Sequence, residues 1–386
     1  MKRYISLDVL RGLTIAFMVI VNNPGSACRY APLCHSDWSG CTPTDLVFPF
    51  FIFCAGTAMA FSLAKFFSNP GISGGAVKKI VRRGLLIFLI GLGMNAFPFF
   101  PVSVHDADAS FARNWLWWLG NVRIFGVLQR IGLCYILGGL LALWLRSPRK
   151  VAAAILVLTC THWLILRLFG DGQMWCSLEG NISGPIDIAV VGENHVYTGY
   201  GRPFDPEGLL GVISATGTLL LGYIAGSVIR SAGSSVEACA RIFALSAICL
   251  ALGCVWSIWL PINKPLWTGS YVLYAGGWAL FVLGFLVYCI DVCECQKIFT
   301  PFKIMGMNPL VLFIFIGLFV RLFGRLIFWY TADGEWMSPL NFYYDRCCAA
   351  LFGDCALASL IYSLSLASLT FLLGLWMYRH KIVIHL

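Results

Sequence analysis

The chain has 386 residues, of which 59% are hydrophobic and only 12% are charged, and its mean hydropathy is +0.81. A soluble domain has about a quarter of its residues charged, so this composition excludes an ordinary soluble protein and predicts one that crosses a membrane many times. The net charge of +9 comes from cations scattered over short loops without aromatic interleaving, so nucleic acid is not an expected partner.

Apolar segments of spanning length recur along the whole chain. Lipid cannot satisfy the backbone groups of an open sheet edge, so the segments should be helices. A span needs about 20 mostly apolar residues, which gives an all-α fold, a polytopic transmembrane bundle of about ten helices in a single domain over residues 1–386. The predicted spans are residues 7–22, 44–63, 83–100, 124–145, 151–169, 207–229, 242–260, 270–290, 303–321 and 355–378.

Lysine and arginine are concentrated in one set of alternate loops, which the positive-inside rule assigns to the cytoplasm. Both termini are then predicted to be cytoplasmic, and the loop after the first span lies outside. Arg82 and Arg83 belong to a cationic cluster at the start of the third span. The cluster is explained by positive-inside anchoring, and it would also suit a phosphorylated cytosolic cofactor.

The loop between the first two spans concentrates polar side chains at the mouth of the predicted bundle. Asn22 ends the first span, His35 lies in the loop and Asp45 opens the second span. Asn22 can donate to a developing oxyanion, a neutral imidazole at His35 can accept a proton, and Asp45 can orient His35 if folding brings them together. From spacing alone, a solvated loop histidine and a helix-capping carboxylate remain equally good explanations.

An arginine inside an apolar run is the next candidate. Arg130, beside Gln129, falls within the fourth span, where it must face the bundle interior and have a partner. Asp8 or Asp45 is one candidate partner, and a phosphate or carbonyl of a ligand is another. Asp8 also has Arg11 three residues away on the same helix face, where the two charges can neutralise each other.

Two outer loops carry residues suited to a sugar. Asp205 and Glu207 precede the sixth span, where they either cap the helix or recognise a cationic or hydroxyl-rich substrate. Lys264 and Trp267 follow in a link that two prolines keep from being helical. The sequence contains no phosphate-binding loop, dinucleotide fingerprint, nucleophile elbow or zinc-protease motif, so nucleotide-driven transport and hydride transfer lose support and no metal is expected.

A series of short motifs is spread over the chain from Ser6 to Leu310. They are S-L-D-V-L-R-G-L-T-I at 6–15, M-V-I-V-N-N at 18–23, H-S-D-W-S-G-C-T-P-T-D-L-V-F-P-F-F at 35–51, G-V-L-Q-R-I-G at 126–132, F-D-P-E-G at 204–208, N-K-P-L-W at 263–267 and G-M-N-P-L at 306–310. Together they resemble heparan-alpha-glucosaminide N-acetyltransferase and its bacterial relatives.

The resemblance implies a transmembrane enzyme that moves the acetyl group of cytoplasmic acetyl-CoA, its co-substrate, to the amino group of a terminal glucosamine on the outer side. The family's catalytic histidine, in H-x-x-W-x-G, corresponds to His35, and the asparagine after M-V-x-V corresponds to Asn22. An acetyl-histidine intermediate and direct transfer both stay open. Expected partners are a glucosamine-bearing sugar or glycan, the lipid bilayer and, as an option, a second copy of the chain.

The remaining site residues divide between the two substrates. Residues expected to bind the cofactor are Arg82, Arg83, Gln129, Arg130 and Asn308. Residues expected to bind the sugar are Trp38, Asp205, Glu207, Lys264 and Trp267. The lysosomal relatives have a large lumenal region ahead of the first motif, whereas this chain starts directly at the first span. Its cysteine-rich outer loops and short ends predict a bacterial inner-membrane enzyme instead. A sugar permease and a glycan O-acetyltransferase are the alternatives.

Overall fold

The computed structural model describes residues 4–67, 71–100 and 110–384, and their regular secondary structure is almost entirely helical. A small antiparallel hairpin pairs β1 (Trp329–Tyr330) with β2 (Trp336–Met337). The helices are α1 (Ile5–Asn22), α2 (Val47–Leu63), α3 (Gly74–Ala96), α4 (Phe111–Leu119), α5 (Val127–Leu145), α6 (Pro148–Phe169), α7 (Ser183–Val191), α8 (Leu209–Ser231), α9 (Ser235–Trp256), α10 (Gly269–Leu286), α11 (Thr300–Met307), α12 (Pro309–Arg321), α13 (Pro339–Tyr343), α14 (Ala350–Phe352) and α15 (Ala356–Arg379).

Nine helical segments in the described residues are long and apolar enough to cross a membrane, and each falls on a predicted span. The all-α polytopic bundle is therefore confirmed. The segments are Ile5–Asn22, Pro43–Phe66, Val127–Leu145, Pro148–Phe169, Leu209–Ser231, Ser235–Trp256, Gly269–Val292, Pro309–Leu326 and Ala356–Arg379.

The predicted span over 83–100 differs from the others. Helix α3 begins earlier than predicted, and the cations of its first half make it less apolar than the nine segments. It runs antiparallel to the spanning helix α5, because Gly84 lies against Gly132 and Gly91 lies further along against Gln129. Packing on α5 therefore supports this helix where its own sequence is too charged to qualify as a span.

The described residues group into two compact units. The terminal unit contains residues 4–35, 42–47 and 289–384, and the central unit contains residues 36–41 and 48–288 apart from 68–70 and 101–109. The single domain inferred from the sequence stays a prediction.

In the terminal unit, α1 packs against α11 and α15. A methyl group on Gly12 would overlap the carbonyl oxygen of Phe302, and one on Gly306 would overlap that of Asp8. The backbones of α1 and α11 therefore touch, as small residues allow in membrane bundles. The predicted ion pair on α1 is present, with Arg11 Nη1 3.1 Å from Asp8 Oδ1.

In the central unit, α8 is the most buried helix, with α5, α6, α9 and α10 packed around it. Its backbone also meets that of α2. A methyl group on Gly56 would overlap the carbonyl oxygen of Leu219, and one on Gly222 would overlap that of Phe53. This close contact fixes the position of α8. Asp205 and Glu207 lie in the turn that leads into its N-terminal end.

The α2–α8 contact predicts the effect of a side chain at Gly56. Gly56→Ala should destabilise the protein by about 1–3 kcal/mol or more, since the added methyl group must displace backbone. Gly93→Ala on α3 is the matched control, because a methyl group there meets no atom of the described residues within 4 Å. Thermal unfolding in detergent measures the difference, and equal melting temperatures for the two variants would contradict the contact.

Candidate functional site

The loop after α1 folds so that His35 meets Asp45 in the terminal unit. Asp45 lies in the 3₁₀ turn Pro43–Leu46 that leads into α2. Its Oδ1 is 2.6 Å from His35 Nδ1, and its Oδ2 accepts hydrogen bonds of 3.1 Å from both the amide and the hydroxyl of Thr42. The Asp45 side chain is 1% exposed, whereas that of His35 is 49% exposed. The contact expected from the sequence is therefore present.

This arrangement combines the two roles that the sequence left open for Asp45. One carboxylate oxygen holds the start of the turn, and the other faces the imidazole. A carboxylate that accepts from Nδ1–H selects one tautomer, so that Nε2 becomes the proton-accepting nitrogen of His35. A buried carboxylate that orients an accessible imidazole is the arrangement that hydrolases use for acyl transfer. The pair is chemically equipped to accept a proton or to carry an acyl group.

Asn22 is the last residue of α1 and is exposed, at the position expected from the sequence. The chain that follows it is held in place by α15. Ser359 Oγ accepts hydrogen bonds from the amides of Gly25 at 3.0 Å and Ser26 at 3.3 Å. The helix end that carries Asn22 is therefore anchored on its loop side.

Asn308, assigned to the cofactor from the sequence, is buried in the same unit. Its Nδ2 donates to the carbonyl of Ile382 and its Oδ1 accepts from the amide of Ile384, both at 2.9 Å. These bonds attach the segment after α15 to the start of α12. Its cofactor role stays a prediction, and the observed contacts give it a structural one.

In the central unit, Asp205 and Glu207 are bound by an arginine that the sequence analysis did not assign to them. Arg123 donates from Nε and Nη2 to the two oxygens of Asp205 at 2.9 and 2.6 Å, and from Nη2 to Glu207 at 2.5 Å. Burial alone would lower the pKa of Arg123, but the two carboxylates raise it well above its ordinary value. The carboxylates are thus partly neutralised, and their sugar-binding role stays a prediction.

Arg130 and Trp267, assigned from the sequence to different substrates, are neighbours. The Arg130 guanidinium carbon lies 5.2 Å from the centre of the Trp267 ring, and Nη2 donates to the carbonyl of Gly208 at 2.8 Å. Arg130 Nε and Nη1 have no hydrogen-bond partner among the described residues. Trp267 is fully buried and donates to Thr218 at 3.2 Å, so its ring can support Arg130 but is covered against direct stacking on a sugar.

The carboxylate partners considered for Arg130, Asp8 and Asp45, are engaged elsewhere, with Arg11 and with His35 and Thr42. The observed partner of Arg130 is instead the backbone carbonyl of Gly208. Gly208 ends the turn just before α8, and this turn lies against α5.

The other predicted cofactor residues lie on α3 and α5. Gln129 is buried and donates to the carbonyl of Ile124 at 3.0 Å. Arg83 lies over the ring of Tyr135, with its guanidinium carbon 5.1 Å from the ring centre, while Arg82 is exposed. Arg82 is therefore the more accessible of the two cations.

Trp38 and Lys264 are brought to one place by the loop that contains Lys264. The side-chain Nδ2 of Asn263, next to Lys264, donates to the carbonyl of Trp38 at 3.0 Å. Trp38 in turn donates to the carbonyl of Cys176 at 2.8 Å, and its ring centre lies 5.5 Å from that of Phe204. This places Trp38 next to the segment that carries Asp205.

Asp187 is a polar residue that the sequence analysis missed. It is fully buried on α7, and its Oδ1 accepts from the amide of Leu209 at 2.8 Å. Burial raises the pKa of this carboxyl to about 7. A lone acid among the apolar residues of Ser183–Val191 was the available signal, but the sequence predicts that this stretch lies in a long outer segment, where an acid is ordinarily solvated.

The first half of the chain, which contains the His35–Asp45 pair, matches a known protein family. Residues 3–185, which include Asn22, His35 and Asp45, match the family model described as heparan-alpha-glucosaminide N-acetyltransferase, catalytic. The predicted resemblance to this family is confirmed. The chain is similar to the heparan-alpha-glucosaminide N-acetyltransferases of Mus musculus, 29% identical over 360 residues, and Homo sapiens, 26% identical over 359 residues.

Each of these alignments covers 80% of this chain and 52% of the relative. The chain therefore spans about half the length of the curated heparan-alpha-glucosaminide N-acetyltransferases it matches. Asp187, Asp205 and Trp267 lie beyond the segment that matches the catalytic family model.

The ion pairs of Arg123 with Asp205 and Glu207 should contribute to stability. Arg123→Gln should destabilise the protein by about 3–5 kcal/mol, because it leaves the buried Asp205 without its cation. Adding Asp205→Asn should recover part of the loss. Arg241→Gln is the control, since its pair with Glu237 is exposed and should contribute less than about 1 kcal/mol. Melting temperatures in detergent test this, and equal effects of the two arginine variants would refute it.

Proposed function

We propose that the chain is a transmembrane acetyltransferase that moves the acetyl group of cytoplasmic acetyl-CoA to the amino group of a terminal glucosamine, or of a glucosamine-containing glycan, at the outer face. The observation that carries this proposal is the buried Asp45 bound to Nδ1 of the half-exposed His35. Similarity to N-acetyltransferases supports the reaction class. The distribution of lysine and arginine supports the orientation, and the bacterial inner membrane stays a prediction.

In direct transfer, Nε2 of His35 accepts the proton of the acceptor amine as the amine nitrogen attacks the thioester carbonyl. The new carbon–nitrogen bond forms, the carbon–sulfur bond breaks, and CoA leaves as the thiolate. Asp45 stabilises the imidazolium, which can then protonate the leaving sulfur. Asn22 is proposed to donate a hydrogen bond to the carbonyl oxygen as it becomes negative.

In the two-step order, Nε2 of His35 itself attacks the thioester carbonyl, the carbon–sulfur bond breaks and CoA leaves as the thiolate. The acceptor amine then attacks the acetyl group on the imidazole, the bond from that group to Nε2 breaks, and neutral His35 is restored. The proton that the amine loses neutralises the thiolate of CoA. Asp45 has the same role in both orders, because each passes through a positively charged imidazole ring that a buried carboxylate stabilises. The His35–Asp45 contact therefore supports acetyl transfer without favouring one order.

Further residues are proposed for recognition of the two substrates. The exposed Arg82, with Arg83, suits the phosphates of CoA, since charge-assisted hydrogen bonds are the stronger ones. Gln129 and Arg130 are proposed for the pantetheine arm, and the two guanidinium nitrogens of Arg130 that lack a partner among the described residues support this. The residues proposed for the sugar are Trp38, Asp205, Glu207 and Lys264, with Trp267 behind them.

The test is transfer of labelled acetyl from acetyl-CoA to glucosamine by purified protein. His35→Ala should reduce transfer by about 100-fold or more while acetyl-CoA still binds, because it removes the base. Asn22→Ala should reduce it by a similar factor through the lost oxyanion donor. His380→Ala is the control, since its imidazole is exposed at the end of α15 and lies 2.8 Å from the carbonyl of Trp376, one turn earlier in the same helix.

Three outcomes would contradict the proposal. If well-folded wild-type protein does not bind acetyl-CoA, the sugar permease becomes the better explanation. If label enters a glycan as an alkali-labile ester rather than as an amide, the protein is an O-acetyltransferase. If His35→Ala transfers acetyl at the wild-type rate, His35 takes no part in the chemistry.

A further inference from the structure

The first peptide of α8 is held on both edges by buried charged side chains. Arg130 donates to the carbonyl of Gly208, and the amide of Leu209 donates to Asp187, each at 2.8 Å. Arg130 is 1% exposed and Asp187 is 0% exposed. A methyl group on Gly208 would overlap Asp187 Oδ2, so the carboxyl group packs directly on the backbone there.

This peptide fixes the turn that carries Asp205 and Glu207. The amide of Gly208 donates to the carbonyl of Asp205 at 2.9 Å, which closes the turn. The amide of Glu207 donates to Asp205 Oδ1 at 2.9 Å, and both carboxylates bind Arg123. Moving the Gly208–Leu209 peptide would therefore move both carboxylates.

Asp187 is itself well anchored. Asn181 Oδ1 accepts from the amides of Ser183 at 3.1 Å and Gly184 at 3.3 Å, which fixes the start of α7. The side chain of Asn181 also donates to the carbonyl of Ser177 at 2.8 Å. A short helix capped in this way can hold one carboxyl group against the end of α8.

The surroundings of Asp187 allow its charge to change near neutral pH. Burial is the largest influence and raises the pKa of the carboxyl to about 7. Arg130 and Asp205 are the charged groups that act on it, the former favouring the carboxylate and the latter opposing it. Asp187 Oδ2 has no hydrogen-bond partner among the residues that the structure describes. A carboxylate accepts a stronger hydrogen bond than a neutral carboxyl group does.

We propose that Asp187 is a positioning residue for acceptor recognition, which fixes the Asp205–Glu207 turn through the amide of Leu209 and holds it more firmly when ionised. This inference rests on the proposed function, in which Asp205 and Glu207 bind the acceptor sugar. Acceptor affinity should then increase as the pH rises through neutrality.

The test measures KM for glucosamine and kcat on both sides of neutral pH. Asp187→Ala removes the hydrogen bond and should raise KM about tenfold with kcat unchanged. Asp187→Asn keeps an oxygen for the amide of Leu209 but cannot ionise, so its KM should stay near the low-pH wild-type value and lose its dependence on pH. Glu193→Gln, an exposed carboxylate just after α7, is the matched control and should behave as wild type.

A wild-type pH profile for Asp187→Asn, or a wild-type KM for Asp187→Ala, would overturn the inference. The pH dependence of the melting temperature tests the inference without relying on the proposed activity. The folded-state pKa of Asp187 lies above its unfolded value of about 4, so between about pH 4 and 7 the folded state binds more protons than the unfolded state. The melting temperature of the wild-type protein should therefore fall relative to that of Asp187→Asn as the pH rises over this range. Equal slopes would overturn the inference even if no acetyl transfer is found, whereas a lack of transfer alone would overturn only the proposed function.

Discussion

A charged group that leaves water must find its partners inside the protein, and this constraint organises the polar parts of an otherwise apolar chain. Asp45 has Thr42 and His35, Asp205 has Arg123, and Asp8 has Arg11. The clusters of Asp45 and Asp205 lie just before spanning helices, where the backbone amides still need acceptors. The same bonds that neutralise these charges therefore also fix the loops in which they lie.

The consequence for chemistry is clearest in the terminal unit. Asp45 is committed on one oxygen to the turn before α2, so its other oxygen presents a fixed acceptor to His35. The imidazole then has a defined tautomer without losing its access to solvent. In the central unit, by contrast, two buried polar side chains are incompletely hydrogen-bonded. Arg130 and Asp187 each keep buried polar atoms without a partner among the described residues, and both hold the same peptide of α8.

The helices could be predicted from the sequence because lipid imposes one simple rule, a long apolar run. That rule worked at α1, whose end at Asn22 was expected. At α3 it predicted the helix but placed its start too late, because packing on α5 supports a helix that begins among cations. The contact between His35 and Asp45 was an expectation that spacing alone could not decide, since the loop between them has no periodic pattern. Arg123 and Asp187 were missed as partners because their contacts join segments far apart in the chain.

Single-turnover acetyl transfer by Asp45→Asn is the most direct test of whether Asp45 orients His35 as proposed. This substitution keeps the size of the side chain but removes the charge that selects the tautomer. We expect acetyl-CoA to bind as it does to wild type while the transfer rate falls by about 10²–10⁴. A wild-type transfer rate in Asp45→Asn would contradict it.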